Sequence, residues 1–143
     1  MDAKKTEAAR AAALDNIADI EIVHGGETRA QSVWNGLEYL AQTPPERILI
    51  HDGARCCVSH AVIDGVLAGL TDAPCAFAAL MVTDALWQGD AFRVTQSRPR
   101  PRDTLYRAQT PQGFDFAAIL AAHRAYDPAQ HGETGDDVAI ARL

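Results

Sequence analysis

The stretch ILIHDGAR, residues 48–55, is an apolar run that turns polar at His51 and Asp52 and ends in Gly-Ala-Arg. The run Ile48–His51 predicts a strand of the kind that is buried on both faces of a parallel sheet. In open α/β sheets, ligands bind at the carboxyl ends of the strands. A carboxylate there can hold a metal ion, and an arginine can bind a phosphate through two parallel hydrogen bonds. The alternative is a solvated turn after a core strand.

The segments on either side predict alternating strands and helices. Asp19–Val23 alternates polar and apolar residues and predicts a short strand, and the nearly all-apolar Cys75–Val82 predicts another. Thr28 and Gln31 form a capping box at the start of a helix that ends before Thr43. A further helix is capped by Ser59, and its predicted core stripe comprises Val62, Ile63, Val66, Leu67 and Leu70. This order predicts βαβ units, and hence an α/β fold with a mostly parallel sheet and helices on both faces.

The remaining segments are less regular. The alanine-rich Lys4–Ala13 predicts a helix, and Phe92–Thr95 predicts a strand in an antiparallel arm over about residues 85–103. The Arg-Pro run at 98–102 can neither be helical nor pair at the centre of a sheet. Thr110–Gly113 predicts a turn. The last predicted elements are a helix capped by Asp115 and carrying Phe116, Ile119, Leu120 and His123, and a helix that begins at Asp136.

The composition limits the class of protein. The 143 residues predict a single domain, with 48% hydrophobic and 22% charged residues. A net charge of −6 argues against a nucleic-acid or anionic-membrane partner. No apolar run reaches the roughly 20 residues that span a bilayer, and the first residues lack the apolar core of a signal peptide. Three cysteines without a disulfide or zinc spacing indicate a reducing compartment, hence the cytoplasm.

Three more positions could carry chemistry, each with a plainer alternative. Gly25-Gly26 before a capped helix exposes backbone N–H groups, and Arg29 and Ser32 could address one ligand there, or the segment is an ordinary connection. Asp84 follows the strand ending at Val82 and is a second candidate metal or hydroxyl ligand, or a turn residue. The stiff arm could deliver Arg102 to an anionic site on its own or a partner subunit, or Arg102 could lie in a surface loop.

Four motifs in one order carry a family resemblance. They are GGETRAQSV at 25–33, ILIHDGAR at 48–55, VTD at 82–84 and RAQTPQGF at 107–114. From about residue 19 to its end, the chain resembles the bacterial methylerythritol 4-phosphate cytidylyltransferases of non-mevalonate isoprenoid synthesis. The resemblance implies a Rossmann-like nucleotidyltransferase fold with a protruding β-arm, and transfer of a cytidylyl group from CTP to a polyol phosphate with Mg²⁺ and release of pyrophosphate.

The resemblance also implies roles for individual residues. Gly26, Glu27 and Ser32 would contact the cytosine, whereas Asp52 and the Gly53 backbone would meet the ribose and the metal. The remaining residues would hold the methylerythritol phosphate, with a catalytic cation reaching in from a second subunit's arm in a homodimer. That set comprises Arg55, Thr110, Asp84 and the arm's Arg102.

Departures from the family pattern leave other hypotheses open. Nothing before Asp19 resembles the family's glycine-rich triphosphate loop, and no late-strand lysine is present, so we expect a fold incomplete at both ends with almost no activity by itself. Ala85 and Trp87 replace a usual threonine and lysine, and Cys56 replaces a proline. One alternative is a non-catalytic remnant acting as a dimerisation or binding module. Another is a cytidylyltransferase for a different polyol phosphate, such as ribitol phosphate.

Overall fold

The computed structural model describes residues 20–88, 98–100, 103–132 and 134–143. The helices are α1 (Arg29–Leu40), α2 (His60–Gly69), α3 (Phe116–Ala125), α4 (Pro128–His131) and α5 (Asp137–Ile140). The strands are β1 (Arg47–Ile50), β2 (Cys75–Met81), β3 (Leu86–Gln88), β4 (Arg98–Arg100) and β5 (Tyr106–Asp115). The chain groups into two compact units, the first ending at Ile48 and resuming at Phe114, the second running from Leu49 to Gly113.

The strands of the described residues form two sheets. One is an open three-stranded sheet in the order β1-β5-β2, which confirms the predicted α/β class. The other pairs β3 with β4 antiparallel, with Trp87 opposite Pro99. A two-stranded ribbon suits the Arg-Pro sequence. Proline has no backbone N–H to donate, so it is found in edge strands, and both strands of such a ribbon are edges. The predicted strand at 92–95 and the predicted helix at 4–13 lie outside the described residues.

In the first unit, local sequence signals define both long helices. Thr28 Oγ1 accepts a hydrogen bond from the Gln31 N–H at 3.1 Å, so the predicted cap of α1 is confirmed. In a capping box, the Gln31 side chain would accept from the N–H of the cap residue Thr28. Here it accepts instead from the N–H of the preceding residue, Glu27, at 3.0 Å. Asp115 caps α3 by accepting from the Ala118 N–H at 2.9 Å. The core side chains predicted for α3 are all buried, namely Phe116, Ile119, Leu120 and His123.

In the second unit, only part of the predicted core stripe of α2 is buried. Val66 and Leu70 are buried, whereas Val62 and Leu67 are exposed. Gly113 of β5 explains this asymmetry, because a Cβ built on it would lie 2.8 Å from Val66 Cγ1 and 2.9 Å from Leu70 Cδ1. The helix therefore approaches β5 closely at Gly113, while its most extensive contacts are with β2. Ser59 occupies the cap position, but its side chain makes no capping hydrogen bond.

Two predictions of local structure were wrong. Thr110–Gly113 is not a turn but lies inside β5, where these residues are buried. Packing of this segment outweighs the turn preference of its proline and glycine. Ile20–Val23 forms no strand. A strand needs a neighbour to accept its hydrogen bonds, and within the described ranges neither sheet includes this segment.

Two other strands agree with prediction in position, but one differs in burial. β2 matches the predicted strand closely. β1 begins and ends one residue before the predicted strand, and its isoleucines and Leu49 are only half-buried while His51 is exposed. The expected burial on both faces is therefore wrong, and among the described residues β1 lies at the edge of its sheet, where fewer neighbours cover it. Across the residues that the structure describes, no helix is both long and apolar enough to cross a membrane.

Candidate active site

The polar end of the ILIHDGAR stretch forms a tight turn after β1. A 3₁₀ turn spans Gly53–Arg55, with Asp52 at its cap position. The Arg55 N–H donates to the Asp52 carbonyl oxygen at 2.9 Å. The side chains also meet, because Arg55 Nε donates to Asp52 Oδ2 at 3.2 Å. The predicted juxtaposition of a carboxylate and a guanidinium at this strand end is therefore present.

Strand β5 adds two polar side chains to this turn. Thr110 is buried, and its Oγ1 accepts from the Asp52 N–H at 3.1 Å. Arg55 Nη1 donates a short hydrogen bond to Gln109 Oε1. The Arg55 side chain remains 44% exposed, so it can still meet a ligand. Gly53 is also exposed, and nothing lies within 4 Å of the position a Cβ would take, so its backbone is open to approach.

A pocket of about 550 Å³ lies beside this cluster. Its polar lining includes Arg55, Gln109 and Thr110, and its apolar lining includes Val58 and Leu80. A cation and a hydroxyl within an otherwise apolar wall suit a small anionic ligand, because the guanidinium can bind a phosphate through two hydrogen bonds. The second unit thus brings Asp52, Arg55 and Thr110 together, next to Gly53.

The glycine loop of the first unit is held by its own side chains. The Gly26 N–H donates to Ser32 Oγ at 3.0 Å, and the Ser32 hydroxyl donates to the Thr28 carbonyl oxygen at 2.9 Å. Asn35 Nδ2 donates to the His24 carbonyl oxygen at 3.1 Å. A Cβ on Gly26 would collide with the Gln31 side chain. Gly26, Glu27 and Ser32 therefore form an ordered loop at the start of α1.

Arg29, the first residue of α1, pairs with the first residue of α5. Its Nη2 lies 2.7 Å from Oδ2 of Asp137, whose side chain is fully buried. His123 Nε2 approaches the other oxygen, Oδ1, at 3.1 Å. Burial raises the pKa of Asp137, but the hydrogen bonds from His123 and Arg29 outweigh it and hold that pKa below its ordinary value. The sequence placed His123 on the core face of a helix, but no local signal joined it to Asp137.

Of the remaining predicted site residues, Asp84 and Arg102, the structure describes only Asp84. Asp84 is exposed in the bend between β2 and β3. Arg102 lies outside the described residues. No group of three or more histidine, cysteine, aspartate or glutamate side chains gathers in the described ranges. Asp52 offers one carboxylate, which is too few protein ligands for an all-protein magnesium site but can be one of the one or two carboxylates that hold Mg²⁺ together with other oxygen ligands.

Comparisons with known proteins agree with the motifs. A sequence model of the family "IspD: 2-C-methyl-D-erythritol 4-phosphate cytidylyltransferase" matches residues 1–143, so the similarity begins further upstream than the motifs indicated. The chain is 49% identical over 136 residues to 2-C-methyl-D-erythritol 4-phosphate cytidylyltransferase of Cereibacter sphaeroides, covering 94% of the chain and 58% of that protein. It is 51% identical over 123 residues to a bifunctional enzyme IspD/IspF of Rhodobacter capsulatus, covering 86% of the chain and 31% of that protein.

A solved structure extends the likeness to the fold. The crystal structure of 2-C-methyl-D-erythritol 4-phosphate cytidylyltransferase from Thermus thermophilus superposes with a TM-score of 0.69 at 32% identity, covering 83% of this chain and 56% of that one. The chain thus spans somewhat more than half the length of these single-function relatives. Together, the family match over residues 1–143, the identities and the shared fold show that this chain belongs to the 2-C-methyl-D-erythritol 4-phosphate cytidylyltransferase family.

Proposed function

We propose that this chain contributes the polyol-phosphate and part of the nucleotide site of a cytidylyltransferase. The reaction transfers a cytidylyl group from CTP to 2-C-methyl-D-erythritol 4-phosphate. A phosphate oxygen of the polyol attacks the α-phosphorus, a new P–O bond forms, and the bond to the β-phosphate oxygen breaks as pyrophosphate leaves. The observation that carries the proposal is the cluster of Asp52, Arg55 and Thr110 beside the pocket.

The cluster supports this chemistry through charge and positioning. In phosphoryl transfer the protein does little covalent work, so catalysis depends on aligning the phosphates and neutralising their charge. Asp52 and Gln109 orient the Arg55 guanidinium. The Arg55 side chain remains 44% exposed to solvent, so a ligand can reach it. Thr110 fixes the turn through the Asp52 N–H. We assign the polyol phosphate to Arg55 and Thr110, with the Gly53 backbone near the ribose.

The loop before α1 supports recognition of the base. Gly26 and Glu27 lie just before the capped helix, and Ser32 and Gln31 hold their N–H groups. These internal hydrogen bonds fix the loop before a ligand arrives, so binding does not have to order it. We therefore assign cytosine to Gly26, Glu27 and Ser32. Relatives of the same family carry the methylerythritol name, which favours this substrate over ribitol phosphate and over a non-catalytic remnant.

Four further assignments belong to the same proposal. Mg²⁺ would be held by Asp52 together with the triphosphate, and it would neutralise phosphate charge when bound. Asp84 would assist the polyol. A second copy would contribute the arm cation Arg102, so the working protein would be a homodimer joined through the antiparallel ribbon. The three unpaired cysteines support a reducing compartment, the cytoplasm.

A chimera tests the proposed function. The matching 136 residues of the Cereibacter sphaeroides relative are replaced by this chain, and pyrophosphate release is measured with CTP and methylerythritol phosphate. We expect turnover, and a loss of about 100- to 1000-fold on Arg55→Ala, because a preorganised cation at developing charge is removed. Arg47→Ala is the matched control, since this exposed arginine makes only a 3.8 Å contact to Glu46. No turnover by the chimera, or an equal effect of both substitutions, would overturn the proposal.

A further inference from the structure

Two adjacent cysteines lie on the wall of the pocket beside Arg55. Cys56 and Cys57 are both exposed, and their sulfur atoms are 3.8 Å apart. Both line the 550 Å³ pocket, together with the apolar Val58 and Leu80. The third cysteine, Cys75, is half-buried and lies outside that lining. The chain therefore presents two accessible thiols in one concave, largely apolar place.

The spacing of this pair disfavours a disulfide between them. The Cα atoms of adjacent residues lie about 3.8 Å apart across a trans peptide. Ordinary disulfides need Cα atoms about 4.4 to 6.8 Å apart, and shorter spans store strain that makes the bond easy to reduce. A metal or metalloid atom that binds both sulfur atoms avoids that requirement, because the two sulfur atoms then need not bond to each other.

The surroundings select the kind of centre. Sulfur ligands prefer soft centres. A tetrahedral zinc site needs three or four protein ligands, and the described part of the chain gathers no such group of histidine, cysteine or acidic side chains. A trivalent atom that is bonded to two sulfur atoms and to one carbon substituent needs only the two cysteines as protein ligands. The apolar wall formed by Val58, Val62 and Leu80 can accept an aryl substituent.

We propose that Cys56 and Cys57 form a dithiol binding site for trivalent aryl arsenicals in this pocket. With phenylarsine oxide, two arsenic–sulfur bonds form as the arsenic–oxygen bonding breaks. The two thiol protons leave with that oxygen as one water molecule, and neither arsenic nor sulfur changes oxidation state. The bound aryl group occupies the pocket next to Arg55. The site does not depend on the proposed function, because its formation is detected as a covalent adduct.

Mass spectrometry and thiol titration of the whole chain test the site. With one equivalent of phenylarsine oxide, we expect one adduct per chain and a fall in titratable thiols from three to one. Cys56→Ala and Cys57→Ala should each hold the arsenical about 100-fold more weakly against competing glutathione, because the second bond no longer forms intramolecularly. Cys75→Ala is the matched control and should bind as the unaltered chain does.

A second measurement keeps the test independent of how the variants fold. Proteolysis of the unaltered adduct should place the arsenic on a peptide that contains both Cys56 and Cys57. Absence of an adduct, a map that places it on Cys75, or equally tight retention by the single-cysteine variants would each overturn the proposal.

Discussion

Arg29 Nη2 lies 2.7 Å from Oδ2 of Asp137, and this ion pair joins the first residue of α1 to the first residue of α5. The same carboxylate meets His123 of α3 through its other oxygen, at 3.1 Å. One fully buried side chain thus connects three helices of the first unit. This ion pair adjoins the loop that we assign to cytosine, because Arg29 directly follows the cap residue Thr28 in the chain.

Removing the charge of Asp137 should destabilise the protein strongly. In Asp137→Asn the Arg29 guanidinium loses its anionic partner in a place where water cannot replace it fully. Breaking a buried pair in this way typically costs about 3–5 kcal/mol. Because Arg29 keeps 34% of its side-chain surface exposed, we expect the lower end, about 3 kcal/mol. Urea denaturation followed by circular dichroism measures the change in the free energy of unfolding.

The surface pair between Arg124 and Glu38 is the control for that measurement. It is a two-point contact, with distances of 2.7 Å from Nε to Oε1 and 2.9 Å from Nη2 to Oε2. Both groups face solvent, so Glu38→Gln should lower the free energy of unfolding much less than Asp137→Asn does. Equal losses from the two substitutions would show that burial of Asp137 does not decide the energy of its pair.

The stabilisation from Asp137 should also depend on pH. Its pKa in the folded protein lies below the ordinary value, so the folded state holds fewer protons than the unfolded state does. The contribution is therefore fully present above the ordinary aspartate pKa of about 3.9 and is lost as the pH falls toward the folded pKa. We expect the stability difference between the unaltered chain and Asp137→Asn to shrink as the pH falls below about 4.

Urea midpoints of both proteins at several pH values between about 3 and 7 check this sign. Other carboxyl groups titrate in both proteins, so their effects largely cancel in the difference. A difference that grows as the pH falls would contradict a lowered pKa for Asp137.

Helix ends and helix faces could be predicted from sequence because their causes are local. The Thr28 cap, the Asp115 cap and the buried face of α3 each depend on residues within one or two turns of each other. The strand through Thr110–Gly113 could not, because its residues favour a turn and only distant packing makes them a strand. The burial of Gly113 against α2 is such a contact.

The candidate site divides in the same way. Asp52 and Arg55 are three residues apart in one motif, so their pairing follows from the turn after a strand. Thr110 was assigned through family resemblance alone, since its contact to the Asp52 N–H joins positions 58 residues apart. The pair of Arg29 and Asp137 had no signal in the sequence, because neither residue type nor spacing specifies a partner at that separation.

We expect Thr110 to support turnover through its hydroxyl oxygen, which accepts the hydrogen bond from the Asp52 N–H. Thr110→Val keeps the shape of the side chain but leaves the part-buried Asp52 N–H without this partner, which costs about 1–3 kcal/mol. Because the N–H holds the turn that carries Arg55, we expect turnover of the chimera to fall by roughly 10-fold or more. Thr110→Ser retains the oxygen and should recover most of the activity. Equal activity of the valine and serine variants would contradict this role.

Gly113 and Gly65 should respond in opposite directions to the same substitution. A Cβ on Gly113 would lie 2.8 Å from Val66 Cγ1 and 2.9 Å from Leu70 Cδ1, so Gly113→Ala overpacks the contact between β5 and α2 and should cost about 1–3 kcal/mol. Gly65 is exposed within α2, and a Cβ there would have no neighbour within 4 Å. Gly65→Ala should therefore stabilise the protein by up to about 1 kcal/mol, since alanine loses less backbone entropy in a helix. Urea denaturation of the two variants compares one added methyl group at a packed and an open position of the same unit. A loss of stability in both variants would contradict this prediction. The loss at Gly113 could then not be attributed to its close packing against α2.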